Sequence, residues 1–111
     1  SSDLLHHGYL CAALMPATLD YNRPAVLSKT AWVARLFGVE DRNDEAAAAG
    51  AGQAIRSLNG RIGMGMGLAE AGVDLDDSSR IVDDAMNSYL LKNNPIEGTP
   101  DGCRAVLEAS M

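Results

Sequence analysis

Cysteine is scarce: Cys11 and Cys103 are the only two in 111 residues. Two thiols cannot build a disulfide framework, and their spacing matches no zinc-binding pattern. Both read as small buried apolar residues in a reducing compartment, which predicts a cytoplasmic protein. A single bridge joining the chain ends is the less favoured alternative. Aromatic residues make up only 5%, β-branched residues are sparse, and no segment sustains alternation of apolar and polar positions, so strands are not expected. No apolar run approaches the ~20 residues that a bilayer span needs, and no signal peptide opens the chain. Basic residues are outnumbered 9 to 15, for a net charge of −6. An acidic surface repels polyanions, which argues against nucleic acid and anionic membrane as partners.

What is present is enough for one domain. Apolar residues reach 47%, so a modest core can form and disorder is excluded by composition. Residues 1–111 read as a single all-α domain. The opening Ser1-Ser2-Asp3-Leu4 is no initiator sequence and reads as the continuation of a longer polypeptide.

Helix signals recur between punctuating residues. A first helix is expected from about Gly8 to Asp20, with Leu10, Ala13, Leu14 and Ala17 repeating at helical spacing and Pro16 kinking it near Ala12–Ala13. A second opens at Pro24, whose missing N–H costs nothing at a first helical position. Its apolar side is Val26, Leu27, Ala31, Val33, Ala34 and Phe37, and Gly38 stops it in a left-handed conformation. A third starts at Asn43-Asp44-Glu45, where acidic side chains meet the positive end of the helix dipole. It continues through "EAAAAGAGQAIRSLNG". Gly50 and Gly52 weaken it by up to ~1 kcal/mol each, or else permit close packing. "GRIGMGMGLAEAGVDL" is a glycine-rich loop in which Met64 and Met66 fill gaps in the core. A long helix follows, capped by Asp76 or Asp77. Ile81, Val82, Ala85, Met86, Tyr89 and Leu90 form its stripe, Lys92 lies in its last turn, and a left-handed Asn93 or Asn94 ends it before Pro95. The final helix begins at Thr99-Pro100-Asp101, in the order cap, proline, acid, with Cys103, Val106 and Leu107 inward.

Few residues can carry chemistry. The acidic run Asp74, Asp76, Asp77, Asp83 and Asp84 lacks the glycine and terminal glutamate of a calcium loop and reads as a cap plus a solvated face. The only two histidines are adjacent, His6 and His7, so the chain cannot complete a histidine-rich metal site alone. A neutral imidazole suits Fe(II) or Zn(II), and the glycine after it lets the backbone turn sharply. His7 and Cys11 stand four apart, on one face of a helix that starts early enough. A His-x-x-x-Cys metal pair is conceivable, but packing against the core is the favoured reading of Cys11.

"HHGYLCAALMPATLDYN" resembles the H-G-x-x-x-A-x-x-x-P-x-x-x-x-x-N segment of iron-containing (group III) alcohol dehydrogenases, with matches at His7, Gly8, Ala12, Pro16 and Asn22. "SKTAWVARLFGV" is similar to the following "LAxIAxxLG" helix. "LAEAGVDLDDSSRIVDDAMNSYLLKNNP" resembles the late stretch in which an L-x-x-x-G-V turn leads to a helix ending in N-P. The resemblance spans essentially the whole chain. It implies the C-terminal helical domain of a dehydroquinate synthase-like fold, behind an N-terminal α/β domain that binds NAD or NADP. It also implies a cleft where one aspartate and three histidines hold Fe(II) or Zn(II). His7 inherits the role of last ligand, with His6 and Cys11 as cleft or supporting residues. A small alcohol or carbonyl compound is the implied substrate, and homo-oligomers form through other parts of the polypeptide. Departures are the missing aspartate and earlier histidines, the absent phosphate-binding glycine loop, "MGMG" where a glycine-proline turn is expected, Ile96 in place of arginine after N-P, and Asn87 where aspartate is common. The rival reading is a stand-alone acidic helical interaction module without catalysis.

Overall fold

A computed structural model of the chain describes residues 7–111. Its helices are α1 (His7–Asn22), α2 (Leu27–Leu36), α3 (Asp44–Ala49), α4 (Ala51–Arg61), α5 (Ser78–Met86) and α6 (Pro100–Ala109). Short 3₁₀ segments occupy Arg23–Ala25, Leu75–Asp77 and Tyr89–Asn93. Among the described residues there is no strand, as the all-α reading requires. The helices make a slab of 41 × 32 × 19 Å, about two helix diameters thick.

Local sequence explains several boundaries. Gly38 has φ +102°, and around it Val39 N–H donates to Ala34 O while Gly38 N–H donates to Arg35 O. That pair of bonds is a Schellman ending, which uses the last carbonyls of α2. The Asn43 side chain accepts from Ala46 N–H at 3.0 Å, and Thr99 Oγ1 accepts from Gly102 N–H at 3.0 Å. Thr99 is the cap expected from sequence, and Asn43 caps a helix expected to start there on the strength of its acidic first turn. Arg35 secures the turn between α2 and α3: Nε donates to Asp41 O at 2.9 Å, Nη2 to Arg42 O at 3.0 Å, and Nη1 pairs with Asp44 at 2.9 Å.

Other boundaries differ from expectation. Pro24 lies inside a 3₁₀ turn, Arg23–Ala25, and α2 begins only at Leu27. The expected third helix is two, with Gly50 between α3 and α4. A Cβ on Gly50 would stand 3.3 Å from Val39, and one on Gly52 would stand 2.7 Å from the Asp20 carboxylate. Close packing therefore accounts for both glycines. The expected long helix is α5, which stops at Met86, and Tyr89 and Leu90 leave its stripe, 76% and 58% exposed. Asp74, in place of Asp76 or Asp77, caps the entry to it, accepting from Asp76 N–H at 2.9 Å. Asn94 is extended, not left-handed, because its side chain has a tertiary task described below. Met66 and Phe37 are exposed and do not fill the core.

The tightest packing joins α2 and α3, where Ala31, Ala47 and Ala48 have no exposure at all. Leu27 and Val39 cover them. α1 crosses behind, against α4 and α6. It stays helical through Pro16, although proline supplies no N–H to the carbonyl of Ala12. Asn59 of α4 takes that carbonyl instead, donating from Nδ2 at 2.9 Å. At the other end Asn22 and Asn94 exchange two amide bonds of 2.9 and 2.7 Å, and Asn94 Nδ2 also donates to Ile96 O at 2.7 Å. The asparagine that ends the H-G segment and the asparagine of the N-P segment are thus one contact. Gly102 leaves room for the ring of Tyr21, whose hydroxyl donates to Glu97 O at 3.2 Å.

Candidate metal centre

α1 displays its chemistry at its start. His7 is its first residue, and its exposed positions are His7, Gly8, Cys11, Met15 and Thr18. Four of these, His7, Cys11, Met15 and Thr18, repeat at about one helical turn and form a single stripe. Gly8 is an ordinary helical residue of the first turn, so no sharp turn accompanies the histidine. Cys11 is exposed, which corrects the expectation that it packs against the core. It shares its face of α1 with Met15 and Thr18, which are exposed as well. Its Sγ lies 3.5 Å from Nε2 of His7, the spacing that i and i+4 positions create. His6 lies outside the described residues.

Cys103 is half-buried, with its thiol 3.8 Å from Met86 Sδ. Both cysteines are free. Arg104 beside it donates from Nη1 to Ser78 Oγ at 2.7 Å, tying α6 to the start of α5.

Among the described residues no group of three or more His, Cys, Asp or Glu side chains is placed to hold a metal ion. His7 and Cys11 are therefore at most part of a donor set. Imidazole nitrogen suits iron or zinc, and thiolate sulfur suits zinc. The acidic residues 74–84 do not converge, and Asp74 and Asp77 serve as a cap and as a surface partner of Arg80 at 3.8 Å.

Beside this stripe, a groove of about 890 Å³ runs between α1, α5, α6 and the loop before α5. Leu10, Leu14, Ile81, Ala85, Val106 and Leu107 give it apolar walls. His7 and Cys11 are not among its lining residues. The groove has no local signal in the sequence, since its walls come from three helices and a loop far apart along the chain. Sequence reasoning also missed Asn59, whose role is readable only once Pro16 is known to lie within a helix.

The chain is 35% identical to a 4-hydroxybutyrate dehydrogenase of Cupriavidus necator over 111 residues, covering 96% of this chain and 28% of that protein. Its backbone matches the crystal structure of a 1,3-propanediol oxidoreductase with a TM-score of 0.89 at 28% identity, again over 96% of this chain and 28% of the other. The chain thus spans little more than a quarter of the proteins it resembles. No helix among the described residues is long and apolar enough to cross a membrane. Residues 4–111 match the profile of the Fe-containing alcohol dehydrogenase family, C-terminal. With that match over nearly its whole length and the all-helical fold to accompany it, the chain belongs to the iron-containing alcohol dehydrogenase family, as part of its C-terminal helical domain.

Proposed function

We propose that this chain supplies the last histidine ligand and one wall of the substrate cleft in a metal-dependent, NAD(P)-linked alcohol dehydrogenase. One observation carries the reading: the histidine of the H-G motif stands exposed at the first turn of α1, in a chain of this family. Iron(II) or zinc(II), when bound, supplies a Lewis acid that polarises an alcohol or carbonyl oxygen while the nicotinamide exchanges hydride. The chain's own task is to hold an imidazole still. Asn59 on Ala12, Asn94 on Asn22 and the ring of Tyr21 over Gly102 fasten α1 from its middle to its end. A ligand on so fastened a helix keeps its place better than one on a loop.

The missing donors and the NAD(P) site belong to an N-terminal portion of the same polypeptide. The apolar residues around α1 support this, because a helix apolar on all sides belongs in an interior, yet here only Pro16 and Ala17 are buried. The relatives' names, a hydroxy acid dehydrogenase and a diol oxidoreductase, support a small alcohol as substrate. Subunits associate through parts outside this chain. Two free thiols, one of them exposed, suit the reducing cytoplasm.

The test is an alcohol-oxidation assay with NAD⁺ and NADP⁺ on the full-length polypeptide that carries this chain, beside its H7A variant. H7A should lose bound metal and at least about a hundredfold in rate, beyond what loss of a supporting residue costs, with its helical circular dichroism unchanged. Full metal content and activity in H7A would remove His7 from the site.

A further inference from the structure

α1 has a weak joint between its first turns and the rest. Pro16 lies inside the helix and is buried, so the backbone supplies no donor to the Ala12 carbonyl. From His7 to Pro16 the helix rises about 13 Å. A swing of about two degrees at the proline would carry the imidazole about 0.5 Å, the tolerance within which a binding group has to be held.

α4 lies across that joint. Its Asn59 donates from Nδ2 to Ala12 O at 2.9 Å, four residues before the proline. Its Gly52 packs on the carboxylate of Asp20, four residues after it. The two helices therefore run antiparallel, and α4 holds α1 on both sides of Pro16. Asn59 is itself fixed: it is buried, and its own carbonyl accepts from Met64 N–H at 2.7 Å in the turn that ends α4. The cross-links at Tyr21 and Asn22 lie on the far side of the proline from His7.

We propose that Asn59 is a positioning residue for His7: its amide replaces the backbone donor that Pro16 lacks and fixes the direction of the first turns of α1. This rests on the metal-binding reading of His7. Asn59 is no ligand and acts through the Ala12 carbonyl. An alanine at position 16 would give the helix its own donor for that carbonyl, and the site would then no longer depend on Asn59.

Cobalt(II) is the probe, added to the metal-free full-length polypeptide that carries this chain and to its N59A, P16A, P16A/N59A and H7A variants. Its visible bands report the geometry of the site, and their titration gives the affinity. N59A should bind cobalt weaker by about tenfold or more, with shifted bands. In the P16A background the same loss of Asn59 should cost less than about twofold, since the two changes act on one carbonyl. Wild-type affinity and bands in folded N59A would overturn the proposal, because a merely structural role lowers the denaturation midpoint and leaves the bound metal unchanged. An equal loss in both backgrounds would overturn it too, by placing the effect of Asn59 elsewhere than the Ala12 carbonyl. Cobalt held by H7A as by the wild type, or by neither, would overturn the reading of His7 and this inference with it. Circular dichroism selects the folded variants. Where N59A does not fold, N59S keeps a shorter donor, takes its place and should fall between N59A and the wild type.

Discussion

The two ends of this slab are packed on different principles. Around α2 and α3 the core is made of alanine, and four of its residues, Ala31, Ala34, Ala47 and Ala48, have no exposed surface. Small side chains let the backbones approach closely, and Arg35 with the Asn43 cap holds the turn between them. Around α1, α5 and α6 the side chains are larger, yet they leave a groove of about 890 Å³, and Tyr89 and Leu90 turn to solvent. The first region is finished by its own sequence. The second has the composition of an interior without the closure of one, which fits a surface that more polypeptide covers.

The sharpest way to break this contrast is one substitution placed in both regions. A31L forces extra methylenes into a site with no free volume and should cost about 3 kcal/mol or more. A85L puts the same atoms into the groove, which has space, and should be neutral or slightly stabilising. Denaturant midpoints of the two variants check this. Equal losses would mean that the groove is as tightly packed as the alanine core.

The next effect belongs to the second region, where the end of α1 meets the segment after α5. N94A leaves the Asn22 amide and the Ile96 carbonyl without partners in a half-buried place. A buried polar group without a partner costs about 1–3 kcal/mol. N22A should cost a similar amount, and the double variant little more than either alone, since the two share one contact. Thermal denaturation of the set would show additive losses if the pair were two independent side chains.

These sites also show what can be read from sequence. The stop at Gly38 and the starts at Asn43 and Thr99 were legible because capping is local: the residue that signals the boundary also makes the bond. The break at Gly50 was not, because it answers to Val39 from α2. Nor was the end of α5 at Met86, where the apolar period runs on through Tyr89 and Leu90 but the chain does not. Asn94 was misread for the same reason, its geometry being set by Asn22, 72 residues earlier. For the candidate metal centre, His7 stands out through the H-G resemblance, while the exposure of Cys11 depends on which face of α1 packs inward.

A third, smaller effect tests close approach. G52A would place a Cβ within 2.7 Å of the Asp20 carboxylate, which has to shift away from Arg56 at 4.0 Å and Arg23 at 3.8 Å. Those pairs are partly exposed and worth little, and alanine is the better helix former by up to about 1 kcal/mol. The two contributions nearly cancel, so the denaturation midpoint should move by less than about 1 kcal/mol. G102A meets the ring of Tyr21, which cannot yield as a carboxylate can, and should cost about 1–3 kcal/mol. If G52A were the worse of the two, the Asp20 carboxylate would have to be held as firmly as the ring.

The smallest predicted difference separates two caps of like chemistry. Asn43 caps α3, which carries Ala47 and Ala48 into the closed core, so N43A should lose about 1 kcal/mol. Ser88 caps only the 3₁₀ turn Tyr89–Asn93, accepting from Leu90 N–H at 3.3 Å, and that turn has no buried residue. Its loss frees a segment whose order contributes little to global unfolding, so S88A should leave the denaturation midpoint unchanged. Amide exchange at Leu90 should nevertheless quicken, since local opening there is separate from global unfolding. Should S88A lower the global midpoint as much as N43A, the 3₁₀ turn would belong to the cooperative core, and the groove beside it would be a finished surface of the chain.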